Sequence, residues 1–139
     1  KRIFGDHKTI RGIIAGTIMG LLVVILQMLL SRQFSWLKDF SYTVDYKDSI
    51  VLFMGLFMGF GAIMGDAVKS FFKRQIGVAP GHSWFPFDQL DFVVGGLLAS
   101  LPFFVLSLRM YVLGIFLSLV LHPTFNVLSW IIRLQDKPF

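Results

Sequence analysis

The sequence predicts an all-α protein, a polytopic bundle of transmembrane helices. The chain of 139 residues is 55% hydrophobic and only 15% charged, which leaves too few polar residues to cover a soluble domain. Its apolar residues fall in four runs, each near the roughly 20 residues that a helix needs to cross a bilayer. Backbone groups in lipid must be paired within their own segment, and these runs are too long for barrel strands, so we expect helices. The runs cover residues 10–30, 50–72, 92–108 and 110–132.

Composition also excludes several kinds of site. The chain has no cysteine, which rules out disulfides, thiolate catalysis and cysteine metal ligands. Every acidic residue is an aspartate, so the zinc-protease motif H-E-x-x-H is absent. We interpret the net charge of +5 as basic residues that orient the protein in the membrane. We therefore expect no nucleic-acid partner.

A basic lead-in, residues 1–12, precedes the first apolar run. Its positive charge alone predicts an anchor on the cytosolic side of the membrane. Lys8, Thr9 and Arg11 also supply several types of hydrogen-bond donor beside a glycine, as a phosphate site would. Both interpretations stay open, and these three residues are candidates for substrate binding.

Glycines recur at four-residue spacing in the first two runs. Such a pattern usually lets two helices approach closely, which is the structural interpretation we prefer. The polar connection between the runs, residues 31–49, has charges that cancel and aromatic residues suited to a headgroup belt, so we expect no chemistry there. The glycines are Gly12, Gly16 and Gly20 in the first run and Gly55, Gly59, Gly61 and Gly65 in the second.

The second run ends in a charged stripe. Asp66, Lys69, Ser70 and Lys73 are spaced i, i+3, i+4 and i+7, which places them on one face of a helix. Lysines alone, with the neighbouring Arg74, would be ordinary snorkelling residues. That interpretation does not explain Asp66, because an acid near lipid is costly and usually functional.

A loop, residues 75–87, separates the stripe from the third run. Its glycines and prolines allow it to fold back over a site. His82 is a weak candidate there, because a loop histidine is more often a surface residue than a catalyst. Asp88 and Asp91 follow Pro86 and should lie in the first turn of the third helix, where capping is the simpler interpretation. Beside another acid on a neighbouring helix they would also suit Mg²⁺, which prefers oxygen ligands.

The fourth run contains a polar segment around a proline. Pro123 should kink the helix, and His122 and Asn126, four residues apart, could bond to a neighbouring helix. A structural role is at least as well supported by this pattern as a substrate contact.

The distribution of Lys and Arg predicts the orientation. With a cytosolic N-terminus, nine of these residues lie on the cytosolic side and four on the other, as the positive-inside rule favours. All of the candidate site residues then lie on the cytosolic face. The four are Arg32, Lys38, Lys47 and Arg109.

Several of these segments together resemble a known family. Residues 69–74 (KSFFKR), a loop rich in Gly, Pro and His, and residues 88–91 (DQLD) are similar to the signature of the membrane cytidylyltransferases that make CDP-activated phospholipids. The archaeal branch of this family, the CDP-archaeol synthases, is closer than the bacterial phosphatidate cytidylyltransferases. That branch also accounts for residues 7–12 (HKTIRG), for Gly65-Asp66, and for a last helix with His122 and Asn126. The motifs occur in the right order over most of the chain.

The sequence departs from the bacterial pattern at two places. Ala79-Pro80 stands where Lys-Asp would be expected, and Gln89 replaces an arginine between the two aspartates. In the archaeal branch a further transmembrane helix precedes the H-K-T-I-R-G element. The resemblance therefore implies a single membrane domain over residues 1–139 with four spans, and a fifth, N-terminal span in the full protein.

The resemblance implies a reaction in which CTP and an isoprenoid ether-lipid phosphate give a CDP-lipid and pyrophosphate. It implies Asp66, Asp88 and Asp91 as catalytic Mg²⁺ ligands, with Lys69 as a further catalytic residue. The expected enzyme is a multi-pass protein of the cell membrane, in contact with the bilayer, with its active site facing the cytoplasm and with a homodimer left open. The residues implied for substrate binding are Lys8, Thr9, Arg11, Ser70, Lys73, Arg74 and His82.

Two alternatives from other classes remain. A small ion- or proton-coupled transporter could use Asp66 and the lysines as an intramembrane relay. It would need polar residues that continue towards the opposite face, where the helices offer little beyond Thr17 and Gln27. A structural membrane subunit whose charges simply pair is the other alternative, and it leaves their clustering on one face without a cause.

Overall fold

The computed structural model describes residues 9–36, 44–45, 48–79, 82 and 84–133. Within these ranges the chain forms four α-helices and no strand. In chain order they are α1 (Ile10–Gln33), α2 (Ile50–Gln75), α3 (Phe87–Ser100) and α4 (Leu108–Ile131). The helical membrane bundle predicted from the sequence is confirmed.

Among the described residues, three helices are long and apolar enough to cross a membrane, namely α1, α2 and α4. Helix α3 has only 14 residues and extends roughly 21 Å, so it is shorter than the full span predicted for residues 92–108. It ends at Ser100 because Pro102 has no N–H to donate to the helix ladder, although Leu101 before it keeps helical backbone. A turn follows, in which the Phe103 and Phe104 amides donate to the Ser100 carbonyl.

Glycines hold α1 against α2. A side chain on Gly59 would place its Cβ 2.8 Å from the Gly16 carbonyl oxygen, and one on Gly20 would place its Cβ 2.8 Å from the Gly59 Cα. Real Cβ atoms do not come this close, so the two backbones touch directly. This first glycine stripe is structural, as its spacing predicts.

A second glycine contact joins α2 to α3. A Cβ on Gly65 would collide with the Asp91 carbonyl, and one on Gly95 would collide with the Gly61 carbonyl. Because Gly65 precedes Asp66, this contact brings the charged stripe of α2 directly beside the first two turns of α3.

The helices alternate in direction, so α2 ends where α3 begins and α4 ends. We call this the site end of the bundle, the end that holds residues 66–73 and 84–91. The opposite end contains an apolar core of Val24, Val51 and Met54, against which Phe103 and Phe104 pack. Apolar packing thus holds the helices together at the opposite end, whereas the site end contains polar side chains.

Candidate functional site

Three aspartates from two helices surround the ammonium group of Lys69. Its Nζ lies 3.2 Å from Asp66 Oδ1, 2.9 Å from Asp88 Oδ1 and 2.6 Å from Asp91 Oδ2. Asp66 and Lys69 share one face of α2, and Asp88 and Asp91 share one face of α3, because residues three apart are neighbours on a helix surface. The glycine contact at Gly65 turns these two faces towards each other. The predicted convergence of the three acids is therefore present.

Burial makes this cluster costly unless it is fully paired. The Asp91 side chain is 4% exposed and the Lys69 side chain 16% exposed. Removing one partner from a buried ion pair leaves an uncompensated charge and costs about 3–5 kcal/mol. Each charge therefore depends on the others, and substitution of one member should alter the whole cluster.

A second lysine, Lys73, pairs with one of these acids, Asp88, from the next turn of α2. Its Nζ lies 3.0 Å from Asp88 Oδ2, and the Trp84 amide donates to that oxygen at 2.6 Å. Asp88 lies at the loop end of α3, where burial raises its pKa, but the hydrogen bonds from Lys69, Trp84 and Lys73 outweigh burial and hold the pKa below its usual value. Asp88 makes no N-cap hydrogen bond to α3; it bonds to the preceding loop and to α2 instead.

Two of the other residues predicted for substrate binding, Arg74 and Thr9, bond to backbone groups outside this cluster. The Arg74 guanidinium donates to the Val78 carbonyl at 2.8 Å, and Ser70 is not among the residues that line the polar cavity described below. Thr9 caps α1 by accepting from the Gly12 amide, and Arg11 is exposed. Lys8 lies outside the described residues.

A polar cavity of about 570 Å³ opens beside the cluster, between α2, α3 and α4. One wall is charged and is formed by Asp66, Lys69, Lys73, Asp88 and Asp91. The other polar residues of its lining carry amide or imidazole groups, and we call them the amide–imidazole wall. They are His82, Gln89, His122 and Asn126. His82, a weak candidate from the sequence, thus lies at the predicted site.

An apolar groove of about 730 Å³ runs along the outer faces of α2 and α3. Val68, Phe72 and Leu98 line it and are 45%, 54% and 61% exposed. Lys69 and Asp91 line both this groove and the polar cavity. The buried ion pair is therefore the point at which an apolar surface and a polar cavity meet.

The carboxylates have the right chemistry for a hard cation, since three of their oxygens lie within 3.2 Å of one positive group. Mg²⁺ prefers such oxygen ligands. Within the described ranges no group of three acidic or histidine side chains is arranged as a metal site, and the Lys69 ammonium lies among the acids. The donor set fits Mg²⁺ in kind, and Lys69 is the group with which it would share the acids.

Two residues of the site were not predicted from the sequence. Trp84 contributes its backbone amide, a group that no sequence motif reveals. Gln89 was noted only as a departure from the bacterial pattern, although it is 5% exposed and lines the cavity. Its position between Asp88 and Asp91, followed by an apolar run, was the available signal.

Comparison with known proteins identifies the family. The family model described as CarS-like CDP-archaeol synthase matches residues 1–139. A CDP-archaeol synthase of Methanospirillum hungatei is 35% identical over the whole chain, which covers 82% of that protein. One from Methanosarcina mazei is 36% identical with 83% of its length covered, and one from Pyrobaculum arsenaticum is 27% identical with 75% covered.

No solved structure matches the chain significantly. The family model and the curated relatives nevertheless agree with the resemblance carried by residues 65–74 and 88–91. Neither these relatives nor the described residues favour a transporter. The chain belongs to the CarS-like family of CDP-archaeol synthases.

Proposed function

We propose that this protein transfers the CMP moiety of CTP to an isoprenoid ether-lipid phosphate, forming CDP-archaeol and pyrophosphate. The observation that carries this proposal is that Lys69 and Asp91 line both the polar cavity and the apolar groove. A reaction between a soluble nucleotide and a membrane lipid needs such a junction. CTP occupies the polar cavity, and an isoprenoid chain lies in the groove with its phosphate at Lys69.

The reaction is an in-line displacement at phosphorus. An oxygen of the lipid phosphate attacks the α-phosphorus of CTP, and the bond between that phosphorus and the oxygen bridging to the β-phosphorus breaks. The lipid phosphate is already anionic, so no strong general base is required. Lys69 and Lys73 neutralise phosphate charge, and the rigid α2–α3 contact holds the two substrates in line.

Asp66, Asp88 and Asp91 would hold Mg²⁺, which would supply charge neutralisation at the phosphate oxygens. This assignment is supported by the convergence of the three carboxylates on one cation position. The three aspartates also orient Lys69, which bonds to all of them. Removal of divalent ions with EDTA should therefore abolish turnover, and added Mg²⁺ should restore it.

The site end faces the cytoplasm, and the bundle lies in the cell membrane. This orientation is supported by the excess of Lys and Arg on that side of the predicted topology. Access to cytosolic CTP is the functional reason for it. A homodimer and the absence of a nucleic-acid partner stay predictions from the sequence.

The decisive experiment measures pyrophosphate release by the full-length protein in detergent with Mg²⁺. Each of the four nucleoside triphosphates is tested with and without a geranylgeranyl ether-lipid phosphate. We expect release that requires both the lipid and the metal and that favours CTP. A folded protein that turns over no triphosphate would overturn the enzyme assignment, and ion flux in liposomes would then test the transporter.

The groove assignment has its own test. Val94 lines the groove and is 38% exposed, so Val94→Trp should fill part of it. We expect KM for the lipid phosphate to rise roughly tenfold while KM for CTP stays within about twofold, since one chain segment of the lipid loses its apolar contact. Val112→Trp, at an exposed position of α4 outside the groove lining, is the matched control. Equal changes in both KM values would contradict the assignment.

A further inference from the structure

The amide–imidazole wall of the polar cavity contains buried polar atoms that none of the described residues satisfies. Gln89 Oε1 and His122 Nδ1 are both buried, and neither has a hydrogen-bond partner among the described residues. An unpaired buried polar atom destabilises the fold, and such atoms are uncommon in native structures. Both side chains line the same cavity, so a ligand there could pair with both.

The backbone beneath these side chains is held in place. Ser118, buried on α4, donates its hydroxyl hydrogen to the Gln89 carbonyl on α3. Ser118, His122 and Asn126 recur at four-residue spacing and so share one face of α4. On the same side the His122 ring contacts Phe92 edge to face, with ring centroids 5.8 Å apart. The unsatisfied atoms therefore belong to a fixed wall.

The chemistry of this wall distinguishes among the parts of the two substrates. A carbonyl oxygen such as Gln89 Oε1 can only accept hydrogen bonds, so it repels phosphate oxygens. The isoprenoid chains offer no hydrogen bonds, and the apolar groove is lined by neither Gln89 nor His122. The group that fits is a planar ring that carries an N–H donor beside acceptors, which is the description of the cytosine edge.

Building on the proposed function, we infer that Gln89, His122 and Asn126 form the subsite that reads the base of CTP. Gln89 Oε1 accepts a hydrogen bond from the exocyclic amino group of cytosine. His122 and Asn126 face the remaining acceptors of the same edge, and the Phe92 ring borders the base. A pyrimidine without an N–H donor at that position leaves the buried oxygen unpaired unless the Gln89 amide turns over.

A binding experiment tests this subsite without relying on catalysis. The affinity of the full-length protein is measured by isothermal titration for CTP and for the triphosphate of 2-pyrimidinone riboside, which lacks only the amino group. We expect the wild type to prefer CTP roughly 10- to 100-fold, because the analogue leaves a buried acceptor unpaired. In Gln89→Leu the preference should fall to within about twofold, with affinity for the analogue little changed. Phe125→Leu, on an exposed position of the same helix as His122, is the control and should keep the preference.

Two further measurements keep the inference testable if Gln89→Leu does not fold. The wild type alone must discriminate between CTP and the analogue, and His122→Phe, which keeps a ring beside Phe92, must weaken both nucleotides, because both carry the ring acceptors that His122 faces. Equal affinity of the wild type for both nucleotides, a uniform loss for both in Gln89→Leu, or unchanged affinity in His122→Phe would overturn the subsite. A larger effect from removing the ribose 2′-hydroxyl than from removing the amino group would also overturn it.

The same data separate this inference from the proposed function. A wild type that prefers CTP over the analogue but forms no CDP-lipid would retain the subsite and reject the transferase. A wild type that forms CDP-lipid while Gln89→Leu discriminates normally and His122→Phe binds CTP as tightly as wild type would retain the transferase and reject the subsite.

Discussion

Helix α2 makes two glycine contacts of nearly equal closeness, yet they serve different purposes. Gly55 and Gly59 press against α1 and lead towards the apolar core, whereas Gly61 and Gly65 press against α3 and lead into the charged cluster. Close backbone approach is therefore not by itself a functional signal. Whether such a contact is only structural or also positions a site depends on the residues one turn further along the helix.

The largest loss of activity is expected for a substitution in the charged cluster, beside the α2–α3 contact. Asp91→Asn keeps the shape of the side chain but removes the charge that lies 2.6 Å from Lys69 Nζ. We expect activity to fall roughly 10³-fold, as for other groups that stabilise transition-state charge. The measurement is CDP-lipid formation by protein that elutes as wild type from gel filtration. Asp45→Asn, at the opposite end and exposed, is the control, and comparable losses in both variants would show that the cluster has no special role.

An intermediate loss of activity is expected for a substitution in the glycine contact that positions the charged cluster. In Gly65→Ala the new Cβ collides with the Asp91 carbonyl, so α3 must move away and carry both of its acids from Lys69. We expect a loss of roughly 100-fold in turnover, because small displacements of positioned groups are costly.

Gly96→Ala is the matched control for that variant, since its Cβ would lie 3.6 Å from the Met58 carbonyl oxygen, an ordinary contact. Its turnover should stay within about twofold of wild type. If Gly65→Ala behaved like Gly96→Ala, the α2–α3 contact would not position the acids.

The smallest effect on turnover is expected for a substitution in the glycine contact between α1 and α2. Gly59→Ala would place a Cβ 2.8 Å from the Gly16 carbonyl oxygen and should lower the free energy of unfolding by about 1–3 kcal/mol, as overpacking does. Thermal unfolding in detergent measures this loss, and Gly114→Ala, with only a side-chain contact at 3.8 Å, should show little of it. Turnover per folded molecule should be unchanged in both, and a selective loss of turnover in Gly59→Ala would remove the distinction between the two contacts.

Much of the fold and part of the site could be predicted because they follow from spacing along one chain. The apolar runs predict the helices, and the i, i+3 spacing places Asp66 with Lys69 and Asp88 with Asp91. The same geometry explains Arg74, which lies apart from the cluster because one further residue turns the helix by about 100°.

Other features depend on how two helices are aligned, which spacing does not reveal. That Lys69 bonds to three acids follows from the register fixed by Gly65 and Asp91, and that Gln89 faces a cavity follows from its neighbour Ser118 on α4. The early end of α3 is a local effect of Pro102. The apolar run around this proline predicts a full span, so the early end does not follow from hydropathy. Roles for Thr9, Arg11 and Lys8 stay predictions.

The short third helix also relates the protein to the thickness of its membrane. Phe103 and Phe104, just beyond its end, are packed into the apolar core at the opposite end of the bundle. The distance of Asp88 and Asp91 from that end is thus set by the 14 residues of α3, roughly 21 Å of helix, which is less than the roughly 30 Å of hydrocarbon in a bilayer. We therefore expect the distance between these carboxylates and the lipid headgroups to change with bilayer thickness, so that hydrophobic mismatch should alter turnover.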